Sequence, residues 1–97
     1  MKYIHNVLFD ISNLDTDKLN KAVIKFKQIK GVEKVLSGEN ITPEKDKMGG
    51  YNYGLTVIFA SYDDLVNYAS DPIHLEFKKL IKNNTNSVRV MDFSLNE

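Results

Sequence analysis

Ninety-seven residues make one domain, and a chain of this size buries somewhat more than ~60% of its unfolded surface, enough to fold alone with little to spare. Hydrophobic residues are 42% and charged residues 27% of the chain, the composition of a globular protein, and thirteen basic side chains balance thirteen acidic ones. That balance excludes nucleic acid as the main partner, and the absence of cysteine excludes disulfides, thiolate nucleophiles and thiolate metal sites.

Residues 3–11 alternate, with Tyr3, His5, Val7, Phe9 and Ile11 on one side and Ile4, Asn6, Leu8 and Asp10 on the other. Period two with aromatic and β-branched residues predicts a strand. Asp15 or Thr16 then caps a helix whose apolar stripe is Leu19, Ala22, Val23, Phe26 and Ile29, with Gly31 as its left-handed C-cap. Val32 to Glu39 reads as a second strand, and Asn40 to Gly50 as the one long loop. Tyr51, Tyr53, Leu55, Val57 and Phe59 alternate with polar and smaller residues, which predicts a third strand, the most aromatic one.

Ser61-Tyr62-Asp63-Asp64 has capping-box spacing and opens a short helix through Ala69. Asp71 and Pro72 restart it, with Ile73, Phe77, Leu80 and Ile81 as the inner stripe. After the turn-rich Asn83-Asn84-Thr85-Asn86, residues Val88 to Leu95 form a fourth strand. The order β-α-β, β-α-β predicts an α+β, ferredoxin-like fold over residues 1–97: an antiparallel four-stranded sheet with helices on one face.

Such a sheet is normally polar on its uncovered face. Here Ile4, Leu8, Thr56 and Ile58 lie opposite the aromatic side, and on the last strand Val88 and Val90 oppose Met91, Phe93 and Leu95. A sheet apolar on both sides needs two covers, and the helices supply one. We therefore expect a homodimer joined through the sheet. The opening Met1-Lys2-Tyr3-Ile4-His5-Asn6 lacks the apolar run of a signal peptide, and no stretch approaches the ~20 apolar residues of a membrane span. The expected location is cytoplasmic, without a membrane partner.

Two histidines are the candidate acid–base groups. His5 stands on the aromatic face of the first strand, and His74 is one turn into the last helix. A lone histidine on an apolar face is more often a satisfied packing residue, and that reading stands beside the catalytic one. Two imidazoles without carboxylates at ligand spacing make no zinc site, and Gly49-Gly50-Tyr51-Asn52-Tyr53-Gly54 precedes a strand and lacks the Walker lysine, so no metal or cofactor is expected. Tyr51, Tyr53, Tyr62 and Tyr68 offer apolar bodies with polar tips, suited to lining a small-molecule pocket or to filling the core. Lys78, Lys79 and Lys82 form a basic cluster that reads as a solvated face. No Ser-His-Asp or Cys-His spacing is present.

Seven segments, taken together, resemble the stress-responsive A/B barrel domain (Dabb) family over about residues 2–94. They are Ile4-His5-Asn6-Val7-Leu8-Phe9, Ile29-Lys30-Gly31-Val32, Ser37-Gly38-Glu39-Asn40, Gly50 through Phe59, Tyr68, Asp71-Pro72-Ile73-His74-Leu75-Glu76-Phe77 and Val90-Met91-Asp92-Phe93. The resemblance implies a dimeric α+β barrel. It also implies, by analogy with a plant polyketide cyclase of the family, a pocket between sheet and helices in which His74 is a general base and Tyr68 polarises a substrate carbonyl. His5, Tyr68 and His74 match that cyclase's working residues. Its strand-three histidine is replaced by Tyr53, and the first histidine of the family's frequent His-Pro-x-His is Asp71.

The reading put first is a homodimer that binds a small apolar or aromatic molecule without turning it over, lined by His5, Tyr53, Tyr51, Phe9 and Phe77. The alternatives are a cyclase, lyase or cofactor-free oxygenase using His74 with Tyr68, and a purely structural dimer with a filled core.

Overall fold

The alternating segments pair as their patterns require. The computed structural model describes residues 1–95; the expected domain range 1–97 also takes in Asn96 and Glu97, which lie outside the described residues. Strands β1 (Tyr3–Ile11), β2 (Val32–Glu39), β3 (Tyr53–Phe59) and β4 (Thr85–Ser94) form one sheet in the order β2-β3-β1-β4, every neighbouring pair antiparallel. Helices α1 (Thr16–Val23), α2 (Tyr62–Tyr68) and α3 (Pro72–Ile81) cover one face. This is the ferredoxin-like α+β architecture.

The caps fall where side-chain oxygens can take orphan helix N–H groups. Asp15 accepts from the Lys18 amide, Ser61 from that of Asp64 and Asp71 from that of Ile73. The first helix departs from expectation. It stops being α-helical at Val23 and continues as a 3-10 helix over Ile24–Gln28, with Ile29 already extended. In the tighter winding, residues three apart eclipse one another. That places Val23, Phe26 and Ile29 on one line, and all three are buried. Gly31 does have a positive φ of 82°, but in the turn beyond the helix, not as its cap. A Cβ there would sit 2.2 Å from the Asp64 carboxyl group, so the turn is glycine's for space as well as conformation.

Two further boundaries and one burial differ. The third strand begins at Tyr53, because the Tyr51 amide turns back to the Met48 carbonyl. Asn52 there bonds both the N–H and the C=O of Ile11 with its side-chain amide, at the β1 bulge between Asp10 and Ile11. The fourth strand begins earlier than expected, at Thr85, whose hydroxyl donates to the Ile81 carbonyl at 2.8 Å and fastens the strand to the end of α3. Leu80, expected on the inner stripe of α3, is exposed at the helix edge.

Val7, Phe9, Ile11, Tyr53, Leu55, Val57 and Phe59 meet Leu19, Val23, Phe26, Ile29, Tyr68, Phe77 and Ile81 in one core. Burial of several large side chains, each worth roughly 1.5–3 kcal/mol, drives this layer together. The other face carries Ile4 against Ile58 and Phe93, Asn6 against Thr56 and Met91, and Leu8 against Arg89. Ile4 is only 6% exposed, sheltered between its two neighbours, whereas Leu8, Leu36, Met91 and Phe93 on the same face are exposed.

Candidate functional site

Three helical elements do not cover four strands. Tyr3, His5, Val7 and Phe9 of β1 stand beside Ser94, Asp92, Val90 and Val88 of β4 on the helix side. Nothing roofs the β4 half: Val90 is 56% exposed and Val88 39%. Between β1, β4, α2 and α3 a groove of about 590 Å³ results. Its walls include Phe9, Phe77, Ile81, Val88 and Val90, so most of its surface is hydrocarbon. Its polar groups are few: His5, Tyr68, His74, Lys78, Lys82, Thr85 and Asp92. Apolar concavities with a small number of convergent polar groups are the usual form of small-molecule sites.

His5, Tyr68 and His74 come together at one end. The His5 and Tyr68 ring centroids are 5.1 Å apart and those of Tyr68 and His74 4.2 Å, with Phe26 packed edge-on against both Tyr68 and His74. His5 Nδ1 lies 2.6 Å from Asp92 Oδ1 and His74 Nδ1 lies 3.1 Å from the Ala69 carbonyl. A carboxylate and a carbonyl only accept, so each Nδ1 carries the donated proton and each Nε2 is left for other partners. Burial, chiefly, pushes the His74 pKa below its ordinary value; the Ala69 carbonyl and Asp71 oppose this, and the proximity of Lys78 and His5 adds to it. At pH 7 His74 is therefore a neutral imidazole with a lone pair on Nε2, the form a general base needs.

Tyr68 is held in a different state. Burial first, then the negative charge of Asp92, raises its pKa far above the ordinary phenol value, so its O–H stays intact. No partner lies within hydrogen-bond reach of that buried hydroxyl among the described residues. A buried donor left unpaired costs about 1–3 kcal/mol, a penalty that a bound acceptor would relieve.

The remaining sequence candidates divide. Phe9 and Phe77 line the groove, their rings 6.1 Å apart. Tyr53 lies outside it, in the core under α1, where its hydroxyl donates to Asn20 Oδ1 at 2.7 Å and burial raises its pKa. Tyr51 lies on the opposite face of the sheet, its hydroxyl 3.2 Å from Ser87 Oγ and its ring beneath the Arg89 guanidinium. Asp92 is the group that sequence reasoning missed. Its signal was available, since pairing β1 antiparallel to the last strand sets Asp92 beside His5. Among the described residues no group of three metal-ligating side chains occurs, and no helix is long and apolar enough to cross a membrane.

Fold and groove together define a ferredoxin-like α+β domain with a pocket between its sheet and helices. The sequence matches the family model of the stress responsive A/B barrel domain over residues 4–95, and the chain belongs to that family, Dabb. Among solved structures it is similar to an Arabidopsis thaliana protein (18% identity, TM-score 0.80, covering 98% of this chain and 96% of that one). A dimeric ferredoxin-like protein of unknown function from Jannaschia is similar at 19% identity and TM-score 0.80, covering 98% of this chain and 100% of the other. A hydroxynitrile lyase from Passiflora edulis is similar at 19% identity and TM-score 0.78, covering 99% and 94%. Comparison with curated proteins gives no match.

Proposed function

We propose that the protein is a homodimer whose groove binds a small molecule with an apolar or aromatic body and a hydrogen-bond acceptor. The observation that carries this reading is the 590 Å³ apolar groove lined by Tyr68, whose buried hydroxyl has no partner among the described residues. The ligand's hydrocarbon covers Phe77, Val88 and Val90, and its acceptor receives a hydrogen bond from the Tyr68 hydroxyl. Association through the uncovered sheet face is supported by Leu8, Leu36, Met91 and Phe93, four large apolar side chains exposed on it. It agrees with the dimeric state of the Jannaschia relative.

Two measurements test this. The uncharged fluorophore N-phenyl-1-naphthylamine should bind the wild-type protein, and Val90→Phe, which fills the groove, should abolish binding; equal binding by both proteins rejects the groove as the site. Sedimentation at micromolar concentration should give twice the chain mass, falling to the single-chain mass in Leu36→Glu. A wild-type protein that sediments as one chain rejects the dimer.

A catalytic reading is favoured by one further feature, the neutral His74 beside the protonated Tyr68. His74 Nε2 would take an acidic proton from a carbon next to a carbonyl, or from the hydroxyl of a cyanohydrin. Tyr68 would donate its hydrogen bond to the oxygen that gains charge. A carbon acid would take the proton back from His74 at its new position, whereas a cyanohydrin would break its C–CN bond to form the carbonyl, the departing cyanide taking the proton from His74 as hydrogen cyanide. The cyanohydrin case is suggested by the Passiflora relative. Cleavage of a cyanohydrin panel and turnover of β-keto substrates decide it: activity should fall by about 10²–10⁴-fold in His74→Ala, the usual contribution of a general base. Turnover unchanged in that variant removes His74 from the chemistry.

A further inference from the structure

The basic cluster of α3 is split by the fold. Lys78 and Lys82 are one helical turn apart and line the groove, whereas Lys79 lines a separate depression on the other side of the helix with Ile73 and Glu76. A helix C-terminus favours cations anywhere around its last turn, which accounts for Lys79 as well as for the other two and does not select the groove side. Among the described residues the ion pairs join Lys2 to Glu33, His5 to Asp92 and Lys47 to Glu44. Among the described residues no acidic group pairs with Lys78 or Lys82. Thr85, beside them, already spends its hydroxyl proton on the Ile81 carbonyl.

The acid of the groove is at the far end. Val88, Val90 and Asp92 step along β4 away from Thr85, and Asp92 is roughly 20 Å from it at the ~3.3 Å rise of a strand. There it is engaged by His5. The groove thus has an imidazole–phenol end and a hydrocarbon middle, with the exposed Lys78 one helical turn beyond His74 and the exposed Lys82 a further turn along, beside Thr85.

We propose that the ligands of this groove are amphipathic acids: an apolar or aromatic body along Phe77, Val88 and Val90, and a carboxylate-class anion held by Lys78 and Lys82. The assignment rests on the groove being a ligand site, and the two can fail separately. A matched pair of probes separates them, since 1-anilinonaphthalene-8-sulfonate is N-phenyl-1-naphthylamine with one added anionic group. The wild-type protein should bind the sulfonate more tightly than the neutral probe. In Lys78→Gln/Lys82→Gln the sulfonate should lose about fivefold or more in affinity, the size expected for two partly exposed charge pairs, with the neutral probe unchanged. Lys79→Gln should leave both affinities as they are. Raising salt should weaken only the sulfonate.

Sulfonate binding that is no tighter than neutral binding, that survives the double substitution, or that falls equally in Lys79→Gln overturns the anion assignment and leaves the groove standing. Failure of both probes to bind the wild-type protein overturns the groove and this assignment together.

Discussion

The helix-covered side of the sheet holds two regions built from similar residues with opposite outcomes. Over β3 and β2, Phe59, Val57 and Tyr53 meet Phe26, Val23 and Leu19, and all six are buried. Over β4, Val90 and Val88 face the same way and stay 56% and 39% exposed. Hydrophobicity does not separate them; the number of helices does. The α1 segment and its 3-10 extension lie over one half, α2 and α3 cross the middle, and the fourth strand is left without a roof. The filled half supplies stability, and the open half a concavity. Phe26 joins them, fully buried and in contact with Tyr68, His74 and Phe77 at the groove's inner wall.

The largest effect that would sharpen this contrast is on Phe26. Phe26→Ala should cost about 3–5 kcal/mol in urea unfolding, the usual range for a buried aromatic, whereas Val90→Ala should stay within about 0.5 kcal/mol. Equal costs would mean that β4 is packed after all. Next comes a pair of hydroxyl deletions. Tyr53→Phe removes a hydrogen bond to Asn20 and should cost about 1 kcal/mol, while Tyr68→Phe removes an unpartnered hydroxyl and should be neutral or stabilising by up to about 1 kcal/mol. If the two variants lost the same stability, the Tyr68 hydroxyl would have a partner and the groove end would be closed.

The smallest effect is on pH dependence. The His74 pKa is lower folded than unfolded, so between those two values the unfolded chain binds more protons. The contribution of His74 is complete above the ordinary histidine value of 6.5 and is lost as pH falls from there toward the folded pKa. The difference in unfolding free energy between wild type and His74→Gln should therefore shrink on acidification below pH 6.5 and stay flat above it. A flat difference throughout would mean that His74 is open to water.

Several of these features were legible in the residues themselves. Alternation in Tyr3–Ile11 and Tyr53–Phe59 defines strands because successive strand side chains point to opposite faces. Ser61 and Asp71 mark helix starts because an oxygen there satisfies an orphan amide. The switch to a 3-10 helix after Val23 was not legible, since Val23, Phe26 and Ile29 suit a helical stripe in either winding. It is the contact with the sheet that selects the period of three. Tyr53 and Tyr51 show the same limit at the site: both are aromatic residues at the start of the most aromatic strand, yet one is tied to Asn20 under α1 and the other to Ser87 on the opposite face.

Order of elements and strand faces follow from residue periodicity, because backbone geometry fixes which neighbours along the chain share a side; the resemblance to the family lay in seven short segments taken together. The pairing of His5 with Asp92, the meeting of Tyr68 with His74 and the uncovered flank of β4 were settled only by folding. Each joins residues distant in the chain, and their proximity depends on how three helices share out the area of four strands.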